Sequence, residues 1–281
     1  MLFLWYNKYM KKFKNIYVEI TRACNLKCSF CPSKDYTSKD FIEEPKFKYI
    51  IDEIKDYTKG IYLHILGEPL LHPEVFDFID YASKVVEVNI TTNGHLISKK
   101  IEKLINSNIS NLNISLQSLV KFDEDYIVKY FESLSKLIKD RNNMYPIHLR
   151  MWNDKLNSDT LKTNELILKL INDFKLINNN YVNLSVADEF RWPTLTDPIN
   201  DIKSTCLGGK HQIGILLNGD IVLCCLDYLG HTKIGNIYEE SLSDVLSSSV
   251  FEDVKKAWDK TEHHFELCKK CTFRNRFKKE N

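Results

Sequence analysis

The stretch NIYVEITRACNLKCSFCP (residues 15–32) places a strand-like run directly before three cysteines, Cys24, Cys28 and Cys31. Within the run, Val18 and Ile20 alternate with Tyr17, Glu19 and Thr21, the period of two that puts successive side chains on opposite faces of a strand. Similar runs follow near residues 60–66, 85–92, 111–118, 146–152 and 182–186, and helical patterns lie near 46–57, 73–83, 98–106, 123–141 and 161–177. This βαβα order predicts parallel strands joined by helical crossovers. Six such units are fewer than the eight that close a barrel, so the expected core is an open partial barrel or an open doubly wound sheet.

Parallel strands buried on both faces read as continuous apolar runs. These alternate. Ile147, Leu149 and Met151 oppose His148, Arg150 and Trp152, and Leu112, Ile114 and Leu116 oppose Asn111, Asn113, Ser115 and Gln117. With the apolar faces against the helices, the polar faces line a wet lumen that can hold a ligand. A half-exposed antiparallel sheet alternates too, but the crossovers argue against it.

Beyond residue 187 the pattern changes. RWPTLTDP (191–198) reads as a linker, and two short apolar runs, 213–217 and 220–225, meet at Asn218-Gly219, a two-residue hairpin signal. A helix is expected to start at Ser241, with Asp244 three residues on. The expected class is therefore α/β: a partial (β/α)6 TIM-like barrel over 1–190, then a small cysteine-rich α+β auxiliary domain with a β-hairpin over 191–281.

Of the 281 residues, 43% are apolar and 27% charged, enough for a packed core, and a net charge of +1 gives no field for nucleic acid. The apolar start MLFLWY is far shorter than the ~20 residues that span a membrane and has no signal-peptide cleavage site. No membrane association and a cytoplasmic location are expected, and Met10 is an alternative start. With no export signal, the eight cysteines read as metal sites rather than disulfides. The basic run at 269–279 reads as a solvated tail in preference to an anion site.

Three thiolates in C-x₃-C-x₂-C spacing hold three irons of a four-iron cluster and leave one corner open, whereas a structural zinc site takes four ligands. With Phe30 before the third cysteine, the run resembles the signature of the radical S-adenosylmethionine (SAM) superfamily. The resemblance implies a partial (β/α)6 barrel, a [4Fe-4S] cluster on Cys24, Cys28 and Cys31, and SAM chelated to the open iron. Reductive cleavage of SAM would then yield methionine and a 5′-deoxyadenosyl radical that takes a hydrogen atom from substrate. Gly67-Glu68-Pro69 resembles the family's "GE" motif, with Glu68 receiving the SAM ammonium and Gly67 allowing close backbone approach. The turn Thr92-Asn93-Gly94 follows the third strand. Ser115 and Gln117 end the fourth strand where the family contacts the SAM ribose or carboxylate, and the fork of Arg150 suits a carboxylate such as that of SAM. A structural hydrogen bond is an equal reading for each polar residue alone.

The remaining cysteines, with the hairpin and Gly235-Asn236-Ile237, resemble the SPASM/twitch extension of radical SAM enzymes. That implies an auxiliary [4Fe-4S] cluster on Cys206, Cys224, Cys268 and Cys271; a zinc-ribbon-like site is the alternative. Cys225 has three readings: a buried thiol, a replacement for Cys224, or a hydrogen-atom donor facing substrate. Over roughly residues 15–275 the layout is similar to radical SAM dehydrogenases of aminocyclitol alcohols. The leading expectation is thus dehydrogenation of a sugar- or cyclitol-like metabolite, with a base among Glu19, His64, His148 and Asp227 and a flavodoxin or ferredoxin as reductant. The first alternative is a peptide epimerase or cross-linking enzyme; the first strand starts too early to leave room for a leader-binding domain, so a peptide would need a separate carrier or a short recognition element, and the small metabolite leads. The second is an iron–sulfur electron carrier or zinc-stabilised binding protein, which would need neither Gly67-Glu68 nor a polar lumen.

Overall fold

The structure, a computed structural model, describes residues 13–35, 40–142, 145–153, 158–177 and 181–277. The apolar start at 1–6, Met10, and Lys278 and Lys279 of the basic run lie outside the described residues.

Six strands carry the core: β1 (Phe13–Val18), β2 (Thr58–Tyr62), β3 (Glu87–Thr92), β4 (Asn111–Ser115), β5 (Ile147–Trp152) and β6 (Val182–Ala187). Each pairs parallel with the next. The crossovers carry α1 (Glu44–Ile54), α2 (Val75–Ala82), α3 (Ile97–Ile105), α4 (Glu124–Asp140) and α5 (Ser158–Asp173). The strand order runs 6-5-4-3-2-1 with no reversal. A doubly wound sheet reverses its order at a switch point, so this sheet is singly wound, with right-handed crossovers placing every helix on one face. The sheet does not close, as expected for a partial barrel.

One-sided helices explain the alternation. Leu112, Ile114, Ile147, Leu149 and Met151 are buried in the helix-facing core, while His148 and Arg150 are only half-buried on the other face. Helix α4 starts where Asp123 accepts a hydrogen bond from Tyr126 N, and it buries Ile127, Phe131, Leu134 and Ile138 at helical spacing. Phe47 of α1 stacks on Phe78 of α2 with ring centroids 4.1 Å apart, both rings essentially inaccessible.

Three differences from the sequence reading bear on the site. Strand β2 ends at Tyr62, so 63–66 leave the ladder on the way to Gly67. Strand β4 ends at Ser115, and Leu116–Leu119 form a 3-10 turn, which puts Gln117 in that turn rather than at a strand end. The hairpin of β7 (Gln212–Ile215) and β8 (Asp220–Val222) has a three-residue loop rather than the expected two-residue turn. Gly219 N donates to Leu216 O at 2.8 Å and Leu216 N to Asp220 O at 3.0 Å, while only Gly219 has positive φ (87°). That is a type I turn completed by a left-handed glycine. Within this loop Leu217 N donates to Glu19 at 3.1 Å.

The hairpin also extends the barrel sheet. β7 pairs parallel with the free edge of β1, matching Tyr17 with Gly214, and β8 and β9 (Lys233–Asn236) continue antiparallel to give nine strands. Helices α6 (Leu242–Ser247), α7 (Ser249–Asp259) and α8 (Glu266–Lys270) complete the chain. Ser241 caps α6 as expected, accepting from Asp244 N at 3.2 Å. The basic run is not a solvated tail over its described part. Arg274 is buried and donates to the carbonyls of Asn200 and Ile202, and Lys270 reaches Asp197 O at 2.8 Å, stapling the end of the chain to the linker.

Phe47→Ala removes one half of the aromatic stack from a site that cannot collapse. Chemical denaturation followed by circular dichroism should show a loss of about 3–5 kcal/mol, while a loss under about 1 kcal/mol would mean the stack is not a packed core contact.

Candidate active site

The loop that follows β1 carries Cys24, Cys28 and Cys31, all half-buried. Its entry is held by Ala23 N donating to Thr21 Oγ1 at 2.9 Å and by Glu68 N donating to Ala23 O at 2.8 Å. Cys31 N donates to Cys28 O at 3.1 Å, closing the turn between the last two cysteines. Gly67 has φ 76°, and a Cβ there would lie 2.4 Å from Thr21 O. Only glycine lets the second strand's exit touch the cysteine loop this closely.

Glu68 is buried and its carboxylate joins two turns. One oxygen accepts from Leu70 N at 3.0 Å and Thr92 Oγ1 at 2.7 Å, and the other from Asn93 N at 2.8 Å. Burial pushes its carboxyl up to about 7, with the three hydrogen bonds pulling back toward the ionised form. Asn93 in turn donates to Asn25 Oδ1 at 2.9 Å, and its carbonyl accepts from Ser118 and Tyr130, both at 3.1 Å. The sequence reading assigned Glu68 to the SAM ammonium; in the structure its oxygens also organise the turns at the ends of β2 and β3. Burial pushes the thiols of Cys24 and Cys28 up to about 11. Both are protonated at neutral pH in the bare chain, so a metal must displace protons to bind them.

A pocket opens beside this loop, lined by Cys28, Phe30, Gln117, Ser118, Lys121 and Trp152. Phe30 packs against Trp152 with centroids 4.4 Å apart. Gln117 Oε1 is buried there without a hydrogen-bond partner among the described residues. Ser115, at the end of β4, is half-buried and opposite Arg150 in the ladder.

A second cluster lies on the polar face of the sheet. Tyr17 and Tyr62 stack with centroids 4.9 Å apart and planes 11° apart, and His64 meets both edge-on at 5.7 Å. Burial, then the nearby Arg150 guanidinium, pushes His64 down to about 3, so its ring is neutral; its Nδ1 is buried and unpartnered among the described residues. Cys225 follows Cys224 and packs with Tyr17 against Ile65, Leu216 and Val222. The neighbouring Cys224 thiol draws that of Cys225 below the ordinary value, with Tyr17 and Arg150 acting in the same direction against burial.

The other expected bases stand elsewhere. Glu19 is buried and accepts from Arg22 Nε at 3.0 Å and Leu217 N at 3.1 Å, tying β1 to the hairpin loop. Asp227 accepts from His231 N at 3.0 Å and from both the backbone and the hydroxyl of Thr232, so it closes its own loop. His148 is half-buried between Asn113 and Asn183 in the ladder. Of the four, only His64 joins the tyrosine cluster.

Cys206, Cys224, Cys268 and Cys271 line one cavity, together with Asp227, Trp258 and Arg274. Cys225 is not among its lining residues. Burial raises all four of these thiols, with Cys271 pushed up to about 11; for Cys224 the neighbouring Cys225 thiol is the larger cause. No group of three or more His, Cys, Asp or Glu among the described residues is drawn tightly enough to hold a single metal ion. A cluster, with each ligand on a separate iron, does not require that convergence. Three participants were not singled out from sequence. Tyr62 and Trp152 had a signal in the strand alternation, whereas Asn25 had none.

Residues 18–145 match the family model of the radical SAM superfamily, and residues 206–272 match SPASM, an iron–sulfur cluster-binding domain. Together these domains imply a [4Fe-4S] cluster, SAM and an auxiliary cluster, and cysteines are present in both regions. Among curated relatives, the GTP 3',8-cyclase of Clostridium acetobutylicum is 29% identical over 188 residues, 64% of this chain and 54% of that protein. The GTP 3',8-cyclase of Clostridium perfringens is 33% identical over 123 residues, 40% of this chain and 37% of that protein. The chain thus spans about half or less of the length of these relatives. Among solved structures, BtrN in complex with AdoMet and 2-DOIA has a TM-score of 0.61 at 18% identity, covering 94% of both chains. SuiB of Streptococcus suis bound to S-adenosylmethionine has a TM-score of 0.61 at 15% identity, covering 91% of this chain and 71% of that one. No helix among the described residues is long and apolar enough to cross a membrane.

The carboxyl of Glu68 holds its proton more tightly folded, at about 7, than at its ordinary value of 4.5. Holding the proton therefore favours the fold, fully below the ordinary value, and that contribution is lost as pH rises through the folded value. Glu68→Gln cannot ionise. Its stability relative to the native chain should therefore improve between these two pH values, by on the order of 3 kcal/mol. Denaturation midpoints of both proteins across that interval give the difference, and a pH-independent one would show that Glu68 does not titrate there.

Proposed function

The chain is a radical SAM enzyme with a C-terminal SPASM domain, and from that premise we propose that it abstracts a hydrogen atom from a small polar molecule held in the barrel lumen. The observation that carries this reading is the cluster of Tyr17, Tyr62, His64, Arg150 and Cys225 on the polar face of the sheet. Cys24, Cys28 and Cys31 are the thiols of the radical SAM domain, and they suit a [4Fe-4S] cluster with one iron left for SAM. When bound and reduced, this cluster and SAM supply the 5′-deoxyadenosyl radical. Gly67, Glu68 and Asn93 shape the turns beside that loop, and Phe30 and Gln117 line the pocket that would take SAM, whereas Ser115 ends β4 beside Arg150. Cys206, Cys224, Cys268 and Cys271, around one cavity, suit the auxiliary [4Fe-4S] cluster. All eight cysteines are free thiols, which fits the cytoplasm.

The outcome best supported is return of a hydrogen atom by Cys225, an epimerisation of a small metabolite or short peptide. The Cys225 S–H bond breaks as a C–H bond forms on the substrate radical, leaving a sulfur radical. One electron and one proton reset that sulfur, and the hydroxyl of Tyr17 is in place to relay the proton. Each turnover then consumes one SAM and two electrons from an external reductant, a flavodoxin or ferredoxin. Dehydrogenation of a sugar- or cyclitol-like metabolite is the second reading, favoured by the four-thiol cavity that Cys224 lines next to Cys225. It needs a base, and His64, held neutral with a depressed basicity, is a weak one. Ring formation of the kind named for the GTP 3',8-cyclases is supported by sequence similarity alone.

The reduced, anaerobically reconstituted protein should form 5′-deoxyadenosine from SAM, and a Cys24/Cys28/Cys31→Ala triple variant should not. If the fully iron-loaded native protein forms none, the reading fails. Native protein should hold on the order of eight irons per chain. Cys225→Ala should retain them and Cys224→Ala should lose about half; the reverse pattern would exchange the ligand and donor roles of the two cysteines.

A further inference from the structure

Arginine side chains in this fold are paired, with one exception. Arg22 bonds Glu19, Arg191 pairs with Asp197, and Arg141, Arg274 and Arg276 donate to backbone carbonyls. Arg150 makes no hydrogen bond or ion pair with any described residue, although it is half-buried in mid-strand. Its ladder neighbours are Ser115 and Ser185, which carry no charge. Its charge acts on His64, Tyr62 and Cys225. A guanidinium stays charged at any working pH, and none of the Arg150 nitrogens is among the buried atoms without a partner, so the group stands open to the lumen. The buried carboxylates of Glu19, Glu68 and Asp227 are engaged by other donors.

We infer that the missing counter-charge arrives with the substrate: Arg150 receives a carboxylate or phosphate, and the enzyme acts on a small anionic molecule. This inference rests on the proposed use of the lumen. The surroundings suit an anion's rim, because the tyrosine hydroxyls and the neutral His64 ring are uncharged groups that can donate without adding competing charge. SAM's own carboxylate is the rival ligand, and the layout favours substrate. Trp152, two residues further along β5, is the side chain that packs on Phe30 of the cysteine loop. Arg150 therefore lies one side-chain layer back, roughly 6–7 Å along the strand. The positive charge that acts on Cys28 is Lys121, not Arg150. An anion held by Arg150 would place the rest of the molecule beside Cys225.

The test is calorimetric titration of the iron-loaded, anaerobic protein, saturated with SAM, with inorganic phosphate, succinate and myo-inositol as probes. The native protein should bind phosphate or succinate about tenfold or more tightly than Arg150→Gln, with Arg150→Lys between them. Whichever anion binds tells phosphate from carboxylate, and myo-inositol should not distinguish the proteins. SAM affinity should match between native protein and Arg150→Gln. Equal anion binding by the two, no anion binding to the native protein, or a tenfold loss of SAM affinity in Arg150→Gln would overturn the inference, the last by assigning Arg150 to SAM. Failure of the parent reading is separate: native protein would make no 5′-deoxyadenosine while anion binding still depended on Arg150.

Discussion

The arrangement depends on hydrogen bonding along both edges of β1. In an open barrel the first strand has one edge with unpaired N–H and C=O groups, which are costly to bury and prone to pair with other chains. Here β2 takes one edge and β7 the other. Joining them through one strand sets Tyr17 beside Cys225 and Glu19 under the hairpin loop. The same strand delivers the three-cysteine loop from its C-terminal end. The radical SAM and SPASM regions are thus coupled through a continuous sheet.

Burial of Glu68 is the second constraint. A carboxylate removed from water is tolerated only when donors surround it, and three donors from two turns do so. Those bonds align the exits of β2 and β3 with the cysteine loop, and Gly67 supplies the clearance. Glu68, proposed to receive SAM, thus has a structural part in the turns beside the cysteine loop. Loss of this carboxylate would disturb geometry as well as binding, so an activity defect alone does not assign its role.

Polar groups divide into those satisfied by the fold and those left over. Asp227 looks reactive in isolation, yet its carboxylate is occupied by backbone and side-chain partners, and Glu19 and Arg274 are tied into the fold although Glu19 Oε1 and Arg274 Nε keep no partner among the described residues. His64, Gln117 and Arg150 are the reverse: each presents a polar group for which the fold supplies no partner among the described residues. Buried polar groups are ordinarily hydrogen-bonded, so His64 and Gln117, which face the lumen and the pocket, are the groups a bound ligand would satisfy.

The sequence by itself determined the alternating strands, the helical crossovers, the motif at Cys24, Cys28 and Cys31, and the division of strand residues into core and lumen faces. These are local properties: side-chain period, cysteine spacing and capping chemistry need no distant partner. Tertiary structure alone decided that the hairpin would join β1, that Cys225 would part from the four thiols around the cavity, and that Glu19 and Asp227 would be tied up while Arg150 was left unpaired. Each of those depends on which groups, up to 206 residues apart in the chain, meet to satisfy one another's hydrogen bonds and charges, and no local pattern records such a meeting.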